Sequence, residues 1–314
     1  MRLKRSVGLG IVFILIGMGF ALYFFPKEEN KSPESKSSHE KNIKTSNELV
    51  LEKLKRFNGT QKTPLSIQFL FPPTQAPYLK QAQQLDQLSK QLTSSEIDAL
   101  LLFTASFPQD VGLNEKYYNA VGDLVLCTLE TQETLPHLLP HYLVTIFYDS
   151  NRNAIWRDYC LQHLGAIYPR LSLKEQNILE TLFLQSVKKG DEMAGTAAIA
   201  LANNFKNGIH IQKTIPALFA LTHNQKSDDS NRLTAMLILA EQNEKKILPL
   251  IKQVIPSRNY SVHFRMSAIA SLGMLGNPND IALLKKYTTE SDLRLRTASK
   301  AAIKKIKQRT SHED

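Results

Sequence analysis

Three segments toward the C-terminal end of the chain repeat one pattern, and that repetition constrains the fold more than any other feature. "NRLTAMLILAEQN" (231–243), "FRMSAIASLGMLG" (264–276) and "LRTASKAAIKKIK" (295–307) align without gaps. Their arginines, Arg232, Arg265 and Arg296, stand 33 and 31 residues apart. A small residue follows each at the same offset: Ala235, Ala268 and Ser299. A larger apolar residue comes next: Leu239, Leu272 and Ile303. Two weaker copies lie upstream. One carries Arg157, Cys160 and Leu164; the other carries Ala194, Ala197 and Leu201. The arginine is absent from the second of these.

Each copy is followed by a break and a second amphipathic segment. Ile281, Leu284 and Tyr287, or Ile178, Leu182 and Leu184, fall on a helical stripe. Pro278 suits a first helical turn. Ser172 with Glu175 has the spacing of a capping box. Each unit therefore reads as a helical hairpin. One hairpin cannot bury both its apolar faces, but a stack can, so the chain is expected to be all-α, an α-solenoid. Ala and Ser let helix axes approach, and Leu or Ile fills the groove beside them. Acidic or carbonyl groups precede the arginines, with Asp228 and Asp229 before Arg232 and Asp292 before Arg296. Arg157, Arg232, Arg265 and Arg296 are thus read as structural, stapling the loop of the preceding repeat. As exposed pairs they would contribute about 0–1 kcal/mol each. Gly273 and Gly276 align with Ala240 and Lys304, and with Asn243 and Lys307. A phosphate-cradling loop could not drift in that way, so the stretch reads as a helix and its exit.

The segments "FRMSAIASLGMLGNPNDIALLKKY" and "DLRLRTASKAAIKKI" resemble HEAT repeats, in the short form also found in phycobilin-lyase-type HEAT-like proteins. The resemblance is clearest over 230–307 and extends back to about 150. It implies an α-solenoid whose usual role is protein binding. Some relatives of the short form act on bilin chromophores, and nothing in this sequence singles out such a site.

The rest of the chain divides by composition. Residues 1–6 carry Arg2, Lys4 and Arg5. Residues 7–25, "VGLGIVFILIGMGFALYFF", hold no charge. A helix of that length approaches the ~30 Å hydrocarbon thickness of a bilayer. Its bulky exit, Tyr23, Phe24 and Phe25, suits an interfacial belt better than a small-residue cleavage site. It is read as a single-pass signal anchor in an inner membrane. Positive charge ahead of the span puts the N-terminus in the cytoplasm and the remainder in the periplasm or outside the cell. The alternative is a cleaved signal peptide that releases a secreted or periplasmic solenoid. Residues 26–47 are rich in Lys, Glu, Ser and Asn and read as a tether. Residues 48–149 read as an N-terminal helical region with diverged repeats, and 150–310 as the HEAT-like repeats. Within the former, Thr63–Tyr78 reads as an extended, proline-rich cap. "YLKQAQQLDQLSKQL" reads as a helix through Leu92, and the next helix starts at a Ser94 cap.

The formal net charge is +10. Part of it gathers near the C-terminal end, where Arg294, Lys300, Lys304, Lys305, Lys307 and Arg309 form a possible basic binding face. Outside the cytoplasm such a face would meet protein or lipid, so no nucleic-acid partner is expected. The partner class is a protein or peptide, with the membrane engaged through 7–25. His137 and His141 are four apart, but the general-base Glu of H-E-x-x-H is missing and Pro140 disturbs the helix. His163 reads as structural. Cys127 and Cys160 stand apart from any ligand cluster in the sequence and read as two independent thiols, with a bridge left open. There is no G-x-S-x-G, Walker loop or dinucleotide fingerprint. Catalysis, a metal and a cofactor are therefore not expected. The alternative of another class is a diverged helical enzyme or chromophore-handling protein.

Overall fold

The helical periodicity of the sequence becomes thirteen α-helices in the computed structural model, which describes residues 64–70, 78–108 and 113–311. No β-strand occurs among the described residues. They fall within one unit, Thr45–Asp314. The predicted anchor at 7–25 and tether at 26–47 lie outside the described residues. Among the described residues no helix is long and apolar enough to cross a membrane.

The helices form two rows. The odd-numbered ones are α1 (Tyr78–Asp86), α3 (Glu115–Glu130), α5 (Ala154–Ile167), α7 (Ala194–Asn203), α9 (Asp229–Glu241), α11 (Val262–Leu275) and α13 (Leu293–Thr310). The even-numbered ones are α2 (Ser94–Ala105), α4 (Leu139–Tyr148), α6 (Leu173–Lys189), α8 (Ile211–His223), α10 (Leu248–Val254) and α12 (Ile281–Lys285). Each odd helix packs on the next odd helix, from α1 to α13. Each even helix packs on the odd helix that follows it. The sequence pattern pairs each arginine-bearing helix with the segment after it. In the structure its close partner is the segment before it, and α7, which has no arginine, packs in the same way.

Small side chains let the odd row approach. Cys160, Ala197, Ala235, Ala268 and Ser299, the aligned small positions, are fully buried. Gly165 faces Ala200, and Gly273 faces Ala302. A Cβ on Gly273 would lie 2.9 Å from both Cα and Cβ of Ala302. Gly273 is thus a buried contact inside α11, and the reading of it as part of a tolerant helix exit is corrected. Asn231 adds a polar clasp between neighbours in the row. Its Oδ1 accepts from the Gly195 N–H (2.9 Å) in the first turn of α7, and its Nδ2 donates to the Asp191 carbonyl (2.8 Å).

Local signals set the other boundaries. The Ser172–Glu175 capping box opens α6. At α2 the cap is Thr93 rather than Ser94, closing a box with Glu96. Helix α1 stops at Asp86, short of Leu92, whose N–H is held by the Gln132 side chain at 2.8 Å. Pro140 lies in the first turn of α4, where proline costs no hydrogen bond, and so introduces no kink. His137 precedes that helix, so His137 and His141 do not share one. In the proline-rich segment, Leu65–Ile67 forms a 3₁₀ turn against α2, with Ile67 and Leu70 buried.

The close approach of α11 and α13 generates a prediction. Gly273→Val is expected to lower stability by about 1–3 kcal/mol, although glycine is otherwise a poor helix residue. Urea unfolding of the two proteins checks this, and a more stable variant would contradict the packing.

Candidate functional site

The repeated arginines bond to the ends of helices. The Arg157 Nε donates to the Phe147 carbonyl (2.8 Å), Arg232 to Thr222 (3.3 Å) and Arg265 to Ile255 (2.9 Å). Each acceptor lies ten residues back, at the C-terminal end of the preceding even helix. There the last carbonyls lack intrahelical donors and the helix dipole favours a cation. Arg296 makes a longer bond, 3.5 Å, to the Glu290 carbonyl. Arg232 also stacks over Phe264 (4.9 Å) and Arg265 over Tyr287 (5.6 Å), both from the next repeat. Arg232 and Arg265 are only 6% and 9% exposed. The expected exposed acid pairs are therefore secondary; the main acceptor is a backbone carbonyl in a buried setting. The copy lacking arginine, at Ala194, follows α6, which is closed by Gly190 in a left-handed conformation (φ 65°).

The six basic residues assigned to one binding face separate. Arg309 turns inward and donates to the Gly273, Met274 and Gly276 carbonyls at the end of α11. Arg294 is paired with Asp292 at 2.7 Å. Lys300, Lys304 and Lys307 form one exposed stripe at helical spacing. Lys305 lies about 100° away around the helix, on the side from which its charge reaches Glu241 of α9.

From α7 to α13 the odd row leaves one face open, supplied by the same offsets in each helix; in α5 those offsets hold Tyr159 and Gln162 instead. Partly exposed or exposed positions are Thr196 and Ile199 on α7, Thr234 and Leu237 on α9, Ser267 and Ala270 on α11, and Ala298 and Ala301 on α13. None is charged and none is long and polar. A separate shallow groove between the α8–α9 and α10–α11 turns is lined by Gln225, Asp229, Arg232, Gln253 and Tyr260. Its arginine is already spent on Thr222 and Asp229.

A further constellation joins residues that are far apart in sequence. Asp123, Cys127 and Glu130 lie on successive turns of one stripe of α3, and His163 reaches them from α5. His163 Nε2 lies 3.0 Å from Asp123 Oδ1, and Nδ1 lies 2.8 Å from Glu130 Oε2. Burial alone would lower the histidine pKa, but the hydrogen bonds and charges of the two carboxylates outweigh it and hold it up at about 9. Burial, reinforced by the same carboxylates, pushes the Cys127 thiol up to about 12. Tyr78 and Tyr159 flank the group, and both phenols are pushed up, by burial and then by Asp123. Sequence reading missed this cluster because His163 is 40 residues from Asp123 and only the α3–α5 packing unites them. The i, i+4, i+7 run of Asp, Cys and Glu on α3 was the available signal. Cys160 is fully buried elsewhere in α5, and both cysteines are free thiols.

The family model for HEAT repeats matches residues 215–304. This segment consists of HEAT repeats. No curated protein matches the chain. The HEAT segment runs from within α8 to within α13, and so contains Arg232, Arg265, Arg296 and the closely packed Gly273.

Two predictions follow from these geometries. Removing the Arg265 side chain (Arg265→Ala) is expected to cost about 1.5–3 kcal/mol by denaturant unfolding. Arg265→Lys is expected not to restore the loss, since an ammonium lacks the planar fork that bonds and stacks at once. His163 gains affinity for a proton on folding, so its contribution is complete below about pH 6.5. It is lost as pH rises through about 9. With chelator present, thermal stability should fall across that window by at most about 3 kcal/mol. The decline should be absent in His163→Gln. A wild-type profile that is flat from pH 6.5 to 9.5 would count against a charged His163.

Proposed function

We propose that the chain is a membrane-anchored, extracytoplasmic scaffold whose HEAT-type stack binds another protein or an extended peptide. The observation that carries this reading is the open face of the odd row. Ile199, Leu237, Ala270 and Ala301 recur there at one offset, each three residues after a Thr, Ser or Ala, and the uncharged stretch ends one turn further on at Glu241 and Lys305. Such a surface lets a backbone or a second helix approach closely with little desolvation of charge. HEAT repeats commonly mediate protein interactions, which agrees with a protein partner. Attachment through 7–25 rests on the uncharged run in the sequence and would concentrate the stack near membrane-bound partners. The lysine stripe at Lys300, Lys304 and Lys307 then offers an acidic partner a salt-sensitive contact.

Three measurements test the reading. A C-terminal alkaline phosphatase fusion should be active, and carbonate extraction should leave the chain in the membrane pellet. An inactive fusion would reverse the topology, and release into the soluble fraction would remove the anchor. Proximity labelling in the native host should return a reproducible neighbour for the wild type. That neighbour should disappear in a folded Ala270→Glu variant. Identical neighbours in both would remove the odd-row face from the binding site.

A further inference from the structure

We propose that Asp123, Cys127 and His163 form a binding site for a zinc-class divalent metal ion, with Glu130 as the outer-shell carboxylate that orients the histidine. The three ligand atoms, a carboxylate oxygen, a sulfur and an imidazole nitrogen, all lie within 4.8 Å of one another. Zinc bonds of about 2.0 Å to nitrogen or oxygen and 2.3 Å to sulfur put tetrahedral ligand atoms about 3.3–3.6 Å apart. The Nε2–Oδ1 pair, at 3.0 Å, needs to open by a few tenths of an ångström, and the group as a whole already lies within 4.8 Å.

Two independent features favour a metal over an ordinary polar contact. The first is orientation. Histidine ligands characteristically donate their second ring nitrogen to a carboxylate, which fixes the ring and its tautomer. Glu130 holds Nδ1 at 2.8 Å in that manner, leaving Nε2 directed at Asp123. The second is scaffold. Asp123 and Cys127 are one turn apart on α3, and α5 packs on α3, so no loop needs to be ordered to assemble the three ligands.

The donor set decides the class of ion. One oxygen, one nitrogen and one sulfur suit zinc or cobalt; magnesium and calcium call for oxygen shells. The site is enclosed on the histidine side, where the side chain is 8% exposed, and open on the Asp123 side, which is 40% exposed. That opening leaves a fourth position for water or for a group from another molecule. A three-ligand site with one open position is the arrangement that polarises a bound water or captures an external donor.

Cobalt is the probe. The full chain, reduced and metal-free, is titrated with Co²⁺ and followed by visible absorption. One equivalent is expected to produce tetrahedral ligand-field bands together with a thiolate charge-transfer band. Cys127→Ser should abolish the charge-transfer band, while Cys160→Ser should retain it. Asp123→Asn should weaken zinc binding at least 10-fold by chelator competition, and Glu130→Gln about 10–100-fold. Asp123 is partly exposed, so Asp123→Asn keeps the test decisive if a histidine variant does not fold. Absence of the bands at several equivalents, or an undiminished thiolate band in Cys127→Ser, would overturn the proposal. Binding that Asp123→Asn leaves unchanged would do the same, by placing the metal elsewhere.

Discussion

Short stacked helices create an electrostatic problem at every exit. The last turn of each leaves carbonyl oxygens without donors and a concentration of negative partial charge. A stack of hairpins places such ends beside the following helix, in surroundings where water cannot satisfy all of them. Arginine answers this with several donors held in a plane on an apolar stem. Arg157, Arg232 and Arg265 reach back ten residues to a carbonyl of the preceding helix end. Arg152 does so for the end of α2, bonding the Ala105 and Ser106 carbonyls. Arg170 does so for α3, and Arg309 for α11. Where α6 ends, Gly190 adopts a left-handed conformation and its N–H bonds the Ser186 carbonyl at 3.0 Å. Glycine and arginine are two solutions to one constraint, which accounts for the repeat copy that has no arginine.

Closing the turns in this way fixes how the rows are built. An arginine at the start of an odd helix ties it to the even helix behind it, and at Arg232 and Arg265 the guanidinium face lies against an aromatic ring ahead. The direction of the stack is thus set at the turns. The spacing of the stack is set in the helix centres, where Gly165 meets Ala200 and Gly273 meets Ala302. Because the odd row is joined by small residues, the positions flanking those joints from α7 to α13 stay open, and Thr196, Thr234, Ser267 and Ala298 are among them. The open face of α7 to α13 is therefore a consequence of the packing rule.

Much of this was legible in the sequence for a specific reason. Arg265, Ala268 and Leu272 repeat at fixed offsets, and a solenoid converts sequence period directly into spatial period. The buried state of Cys160, Ala197, Ala235, Ala268 and Ser299 follows from that alignment alone. What could not be read were contacts between helices without such a period. Arg309 was grouped with the surface lysines because a helical wheel cannot show that its stem spans back to α11. Gly273 was discounted because its aligned partners Ala240 and Lys304 are larger, yet the neighbour opposite each copy differs too. Cys127 and His163 were judged singly, since neither belongs to a compact motif and their meeting depends on how α3 and α5 dock.

That docking differs in kind from the rest of the row. Between α11 and α13 the joint is Gly273 on Ala302, which requires no charge balance. Between α3 and α5, Asp123 and Glu130 both approach a single imidazole that is 7% exposed. Two partly exposed carboxylates facing one buried imidazole favour its positive form, because each hydrogen-bonds the charged ring. A protonated His163 supplies one charge and bonds both acids. A divalent ion at the proposed site would supply two, with Asp123, Cys127 and the deprotonated Nε2 of His163 as the residues that would hold it. The α3–α5 joint is therefore a place where pH bears on how firmly the first helices are held to the rest of the row.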